Sequence, residues 1–170
     1  MPKGIKQTSD IVAISTSVTE SAANTLTSNT IELALSPLDN QVFVIVKTDF
    51  DLQTPDLLPG TSCGNDVTLS SRSRTTVGSL ANNDVIAISR RSVEGAAGLT
   101  TSIFSTEEAP DQSAPAGMDY LFIVFTNDIF LNIIGTNNAG PMTTQARIWG
   151  YRATASSSVY AAGVQSELLG

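Results

Sequence analysis

Between residues 119 and 154 the chain carries its most apolar, most β-branched and most aromatic runs. They are Asp119-Tyr-Leu-Phe-Ile-Val-Phe125, Ile129-Phe-Leu-Asn-Ile-Ile134 and Thr143-Thr-Gln-Ala-Arg-Ile-Trp-Gly-Tyr-Arg-Ala-Thr154. Thr126-Asn127-Asp128 and residues 135–142 separate them with turn-forming side chains. Short runs of this kind between turn signals read as strands. The expectation is a sheet core built from these three strands, with the earlier strands paired to it or packed on it.

The upstream chain continues the pattern. Residues 1–10 read as an arm. Strands are expected over 11–19, 26–35 and 41–52, with Ile31, Leu33 and Leu35 on one face of the second. On the third, Val42, Val44, Val46 and Phe50 share one parity, yet Phe43 and Ile45 make the other parity apolar as well. A strand apolar on both sides is covered on both, within the chain or by a partner. Residues 54–66 read as a long loop and 67–76 as a strand, followed by a helical turn over 78–82. Residues 84–93 and 99–105 read as strands, and 106–117 as a polar, mobile contact loop. After residue 156 the spacing changes: Tyr160, Val164 and Leu168 recur at i, i+4 and i+8, which predicts a helix on residues 156–169. Eight to ten short strands at regular spacing predict an all-β fold, an antiparallel β-sandwich of jelly-roll type with one short C-terminal helix. The expected organisation is an arm (1–10), a sandwich domain (11–154) and a helix packed on it (155–170).

Composition narrows the chemistry. The 170 residues are one domain's worth. Charged residues make up only 15%, and the net charge is −7. Such a balance disfavours nucleic acid as a direct ligand, and Lys3 with Lys6 are too few for a genome-binding arm. No histidine is present, so histidine triads, bases and metal ligands are excluded. Cys63 is the one cysteine, so an intrachain disulfide is impossible, and as a nucleophile it would lack a histidine base. It reads as a free surface or half-buried thiol. Neither a Gly-x-Ser-x-Gly elbow nor a phosphate loop occurs. The expectation is no enzyme, no cofactor and no membrane span.

Four groups of residues invite a functional reading. Asp49, Asp51 and Asp56 offer oxygens to a hard cation, without the glycine and glutamate of an EF-hand loop; a solvated strand end is the simpler reading. Arg72, Arg74, Arg90 and Arg91 fall within twenty positions. They form either a dock for the acidic Glu107, Glu108 and Asp111 of a neighbouring copy or exposed charges guarding an edge. Arg147, Trp149 and Tyr151 share a parity and could make a sugar or base platform, against the favoured reading of core or interface packing. Phe43 and Ile45, on the second apolar face of their strand, are interface candidates together with the arginines, Glu107, Glu108 and Trp149; a C-terminal helix covering that face within the chain is the alternative.

The last third resembles small structural proteins of marine tailed viruses. The similarity lies in Phe130-Leu-Asn-Ile-Ile-Gly-Thr-Asn-Asn138, Ala146-Arg-Ile-Trp-Gly-Tyr-Arg-Ala153, Val159-Tyr-Ala-Ala162 and Gln165-Ser-Glu-Leu168. Ile31-Glu-Leu-Ala-Leu-Ser-Pro-Leu-Asp39 with Val42-Phe-Val-Ile-Val46 is similar to their early strand pair. The resemblance implies a capsid-associated β-sandwich, a coat or decoration subunit without catalytic residues. It implies a virion location after synthesis in the host cytoplasm, and partners that are copies of itself, as a trimer or lattice, and other capsid proteins. A carbohydrate- or receptor-binding sandwich module is the alternative.

Overall fold

The computed structural model describes residues 3–98 and 102–169. Among these residues eleven strands and one α-helix follow in order, with a 3-10 turn (Pro37–Asp39) before the fourth strand: β1 (Ile5–Gln7), β2 (Val12–Thr19), β3 (Thr27–Glu32), β4 (Gln41–Leu52), β5 (Ser62–Ser70), β6 (Val85–Gly95), β7 (Ser102–Glu108), β8 (Asp111–Ser113), β9 (Phe122–Val124), β10 (Asp128–Thr136), β11 (Thr143–Ala155) and α1 (Ser157–Leu169). Every strand pairing is antiparallel.

Two sheets face each other. In sheet A, β11 lies between β4 on one side and β1 and β2 on the other, and β4 carries β8 and β9 on its far edge. Sheet B runs β3-β10-β5-β6-β7. The order β2-β11-β4-β9 opposite β3-β10-β5-β6 is that of a jelly roll. The three apolar runs therefore do not form one sheet. β9 and β11 both flank β4, while β10 sits at the heart of sheet B between β3 and β5. β10 and β11 are apolar because they lie centrally in their layers, and the short edge strand β9 because Phe122 and Val124 pack on the main core and Ile123 on the outer cluster.

Between the sheets lies the main core, with Phe43, Ile45, Phe50 and Leu52 from β4, Val67 and Leu69 from β5, Ile129, Leu131 and Ile133 from β10, and Ile148 from β11. Phe43 and Ile45 share this side with Phe50, against the simple alternation expected. The reason is a β-bulge. Trp149 pairs with Lys47 and Gly150 with Ile45, so Val46 has no partner on β11 and the parity of β4 reverses there. Gly150 is required opposite the bulge, because a Cβ would come within 2.5 Å of both the Phe43 ring and the Val44 carbonyl.

A second, smaller apolar cluster lies on the outer face of sheet A. Ile5, Val42, Val44, Tyr151, Ala153 and Ala155 are buried there beneath Val159 and Tyr160 of α1, with Tyr120, Ile123 and Phe125 alongside. Helix α1 thus covers the second apolar face of β4. Its contact stripe differs from the expected one: Glu167 is buried and Leu168 is 60% exposed. Gly163, a helix-weakening residue by propensity, lets α1 sit against Phe125, whose ring would collide with any Cβ there.

Other boundaries shift for identifiable reasons. Residues 5–7 pair with 153–155 of β11, so this part of the expected arm is a strand; Met1 and Pro2 lie outside the described residues. β5 begins at Ser62, inside the expected loop, and Cys63 is buried on it, its Sγ 3.2 Å from the Asn137 carbonyl oxygen. Residues 78–82 form a turn, closed by Asn82 N–H to the Ser79 carbonyl, in place of a helical turn. The segment 106–117 is largely structured: β7 extends to Glu108, β8 pairs with β4, and the Gln112 side-chain amide donates to the Ile88 carbonyl of sheet B. The start of the expected strand over 99–105 lies outside the described residues, as does Gly170. Among the described residues no helix is long and apolar enough to cross a membrane.

Candidate functional site

Past the bulge, the outer face of sheet A is open and polar. Antiparallel register places its side chains in rows across four strands. One row is Ala13, Trp149, Lys47 and Ser113; the next is Ser15, Arg147, Asp49 and Asp111; a third is Ser17, Gln145 and Asp51. Only short or long polar side chains surround the single tryptophan.

The indole of Trp149 is half-buried, with two cations beside its ring. Lys47 Nζ lies 5.4 Å and the Arg147 guanidinium carbon 5.8 Å from its ring, within the range of cation–π attraction. Lys47 is also tied to Asp49 at 3.0 Å and more loosely to Asp111 at 3.9 Å. Arg147 Nε makes a long contact to the Ser15 hydroxyl at 3.4 Å. Beside this cluster runs a groove of about 230 Å³ lined by Ser15, Thr16, Asp49, Phe50, Asp51, Gln145, Ala146 and Arg147. Its flanking carboxylates, amide, hydroxyl and guanidinium supply both acceptors and donors.

Parity alone brought Arg147 and Trp149 together. Tyr151 shares the parity but lies beneath α1, where burial first and Asp119 second push its hydroxyl pKa up. Asp49 and Asp51 stand on this face, whereas Asp56 is elsewhere: its Oδ2 accepts from the Ala139 N–H at 2.7 Å. Among the described residues no group of three His, Cys, Asp or Glu side chains comes together as a metal site.

The arginines do not form one patch. Arg74 Nη1 meets Asp84 Oδ2 at 2.5 Å in a largely buried pair that pins the β5–β6 connection, which also contains Arg72. Arg90 and Arg91, adjacent on β6, point to opposite sides of sheet B. Arg90 Nε is 3.6 Å from Asp66, and Arg91 reaches inward to the Leu52 carbonyl at 3.1 Å. Glu108 and Glu107 are their register partners on β7 of the same chain. Glu107 and Glu108, expected to meet another copy's arginines, thus lie opposite those of their own chain, and Asp111 lies opposite Asp49 and 3.9 Å from Lys47. Asp66 shows the crowding: burial raises its carboxyl pKa, Arg90 opposes this and Glu108 adds to it. Phe43 and Ile45, 1% and 0% exposed, are core and offer no surface to a partner.

Two carboxylates that carried no sequence signal hold the fold's seams. Glu20 is buried at the end of β2; its Oε1 accepts from the N–H groups of Thr25 and Gly135 and its Oε2 from that of Met142. Glu167 Oε2 accepts from Phe125 and Thr126 N–H at 3.0 and 2.9 Å, fastening α1 to the chain after β9. Burial raises the Glu167 pKa, and these hydrogen bonds only partly oppose it.

No protein-family model matches this sequence, and no curated protein does. Among solved structures, a chain titled Desmodium yellow mottle tymovirus aligns over 92% of this chain and 96% of its own length, at 10% identity and a TM-score of 0.27. A chain from the structure of infectious bursal disease virus Gt strain aligns over 90% of this chain at 13% identity and a TM-score of 0.24. This chain spans about a third of that second chain, 32%. Both titles name viruses and neither names a tailed virus; at such TM-scores neither match bears on mechanism.

Proposed function

We propose that this chain is a non-enzymatic structural subunit of a virion, a coat or decoration protein that assembles with copies of itself and with other capsid proteins. The observation that carries the reading is the strand order β2-β11-β4-β9 over β3-β10-β5-β6, an architecture used by viral capsid domains. The sequence resemblance to structural proteins of marine tailed viruses points the same way. A surface rich in Ser and Thr with only 15% charged residues gives close-packed copies little mutual repulsion.

Assembly in this reading does not use the second apolar face of β4, because α1 occupies it. The exposed apolar side chains that remain are dispersed, with Ile11 and Val12 at the start of β2 and Phe104 on the edge strand β7. Edge strands present unpaired backbone groups to a neighbour.

Sedimentation velocity and electron microscopy of the purified full chain test the proposal, alone and mixed with emptied capsids of tailed viruses. Discrete closed oligomers, a lattice, or saturable attachment to capsids is the expected result. A chain that stays monomeric at every concentration and attaches to no capsid overturns it.

A further inference from the structure

We propose that the open half of sheet A is a binding face for neutral oligosaccharides, centred on Trp149 and the groove beside it. The inference goes beyond the virion reading and does not depend on it.

The chemistry of the face selects the ligand class. A sugar ring presents an apolar C–H face and a rim of hydroxyls, each both donor and acceptor. It is met by an aromatic plane flanked by side chains that supply both halves of each hydrogen bond. Here the indole stands on the outer face of sheet A, with Lys47 and Arg147 as donors, Asp49, Asp51 and Asp111 as acceptors, and Gln145 as both. The groove lies on β11 between Ser15 on β2 and Asp49 and Asp51 on β4, and Arg147, which lines it, stands 5.8 Å from the indole, so a linear chain in the groove lies next to the ring. Trp149, Lys47 and Arg147 are already braced against one another and Lys47 against Asp49. Little side-chain freedom is left to lose on binding.

Other occupants fit less well. Two cations against three carboxylates give this face no net attraction for phosphate, and nucleic-acid binding rests on that attraction. Sialylated and sulfated glycans are disfavoured on the same ground. A second copy is disfavoured because the centres of protein interfaces are depleted in Lys and Asp, and Lys47, Asp49, Asp51 and Asp111 crowd this face.

The full-length chain is screened on an array of neutral, sialylated and sulfated oligosaccharides, with a single-stranded oligonucleotide as a further probe. Hits are then titrated by intrinsic fluorescence. Trp149 is the only tryptophan, so its emission reports this face alone. The expected result is saturable binding of neutral oligosaccharides with a shift in that emission. Gln145→Ala and Asp51→Ala, which leave the ring in place, weaken it, and on the array Trp149→Ala weakens binding by roughly tenfold or more, the scale of losing one aromatic stacking partner. Circular dichroism confirms that the variants are folded. The proposal is overturned if no neutral oligosaccharide binds, if only the charged glycans or the oligonucleotide bind, if Gln145→Ala and Asp51→Ala leave affinity unchanged, or if Trp149→Ala alters the oligomeric state and not glycan binding.

Discussion

The outer face of sheet A has two halves made by the same strands, and they differ in almost every physical respect. Along β4 and β11, Val42, Val44, Tyr151 and Ala153 are sealed beneath α1, whereas Lys47, Asp49, Arg147 and Trp149 a few residues away face outward. The bulge at Val46 lies at the boundary. It lets β4 present apolar side chains outward where the helix sits and polar ones where it does not, while Phe43, Ile45, Phe50 and Leu52 all still reach the main core. Two apolar faces on one strand are therefore no evidence for a partner protein. The first question is whether a later segment of the same chain covers the second face.

The sharpest way to break the comparison is to put a charge on either side of the covered half. Ile45→Asp buries a carboxylate between the sheets and Val44→Asp buries one under α1, where both native side chains are fully buried. Each costs ~4 kcal/mol or more, since an unpaired charge in a dry site is among the few single changes with so large an effect. Chemical denaturation detects the loss as a large drop in midpoint or as failure to fold. Were Ile45 an interface residue, Ile45→Asp would leave a stable monomer.

A smaller effect is expected at the fastening of α1. Glu167→Ala leaves the Phe125 and Thr126 N–H groups without their acceptor, a loss of about 1–3 kcal/mol. Gly163→Ala pushes a methyl group into the Phe125 ring and costs about 1–3 kcal/mol by overpacking. Thermal denaturation of the two variants, with hydrogen exchange on α1, shows whether the helix loosens first.

The Glu167 carboxyl also predicts a pH trend. Its pKa is raised in the folded protein from an ordinary value of 4.5, chiefly by burial. The folded state then holds the proton where the unfolded state has lost it. That contribution to stability is complete below the unfolded pKa and is lost as pH rises through the folded one. Asp66, also raised, acts in the same direction. Glu167→Gln keeps a carbonyl acceptor for the two N–H groups and removes the titration. Its denaturation midpoint changes less than the native one between mildly acidic and neutral pH.

The least costly change lies on the open half. Trp149→Ala removes a half-buried ring and two cation–π contacts of about 0.5–1 kcal/mol each at exposed sites. Urea denaturation resolves a loss well below that of Val44→Asp, which separates a ligand-facing residue from a load on the fold.

Much of this contrast was legible in the sequence, and the missing part has a physical reason. Strand β4 has the residues its alternation and flanking turns predict, and the helix after Ser156 follows from its spacing. The bulge was hidden because it is a relation between two strands: Val46 is extra only with respect to β11. On the site, Arg147 and Trp149 share a strand and so a parity, while Lys47 joins them only through register. The third residue of that parity, the aromatic Tyr151, is taken by the helix. An apolar stripe at helical spacing points to Leu168, whereas the residue that fixes the helix is Glu167, which accepts backbone hydrogen bonds.

The covering role of α1 is tested most directly by the binding of an apolar dye to the full-length chain and to a chain ending at Ala155. Both are first checked for an intact β-sheet signal. The full-length chain should bind little dye. The shortened chain should bind it strongly, because Val42, Val44, Tyr151 and Ala153 lose their cover and form an exposed apolar patch. Equal dye binding by the two folded chains would show that α1 does not cover that half of the sheet.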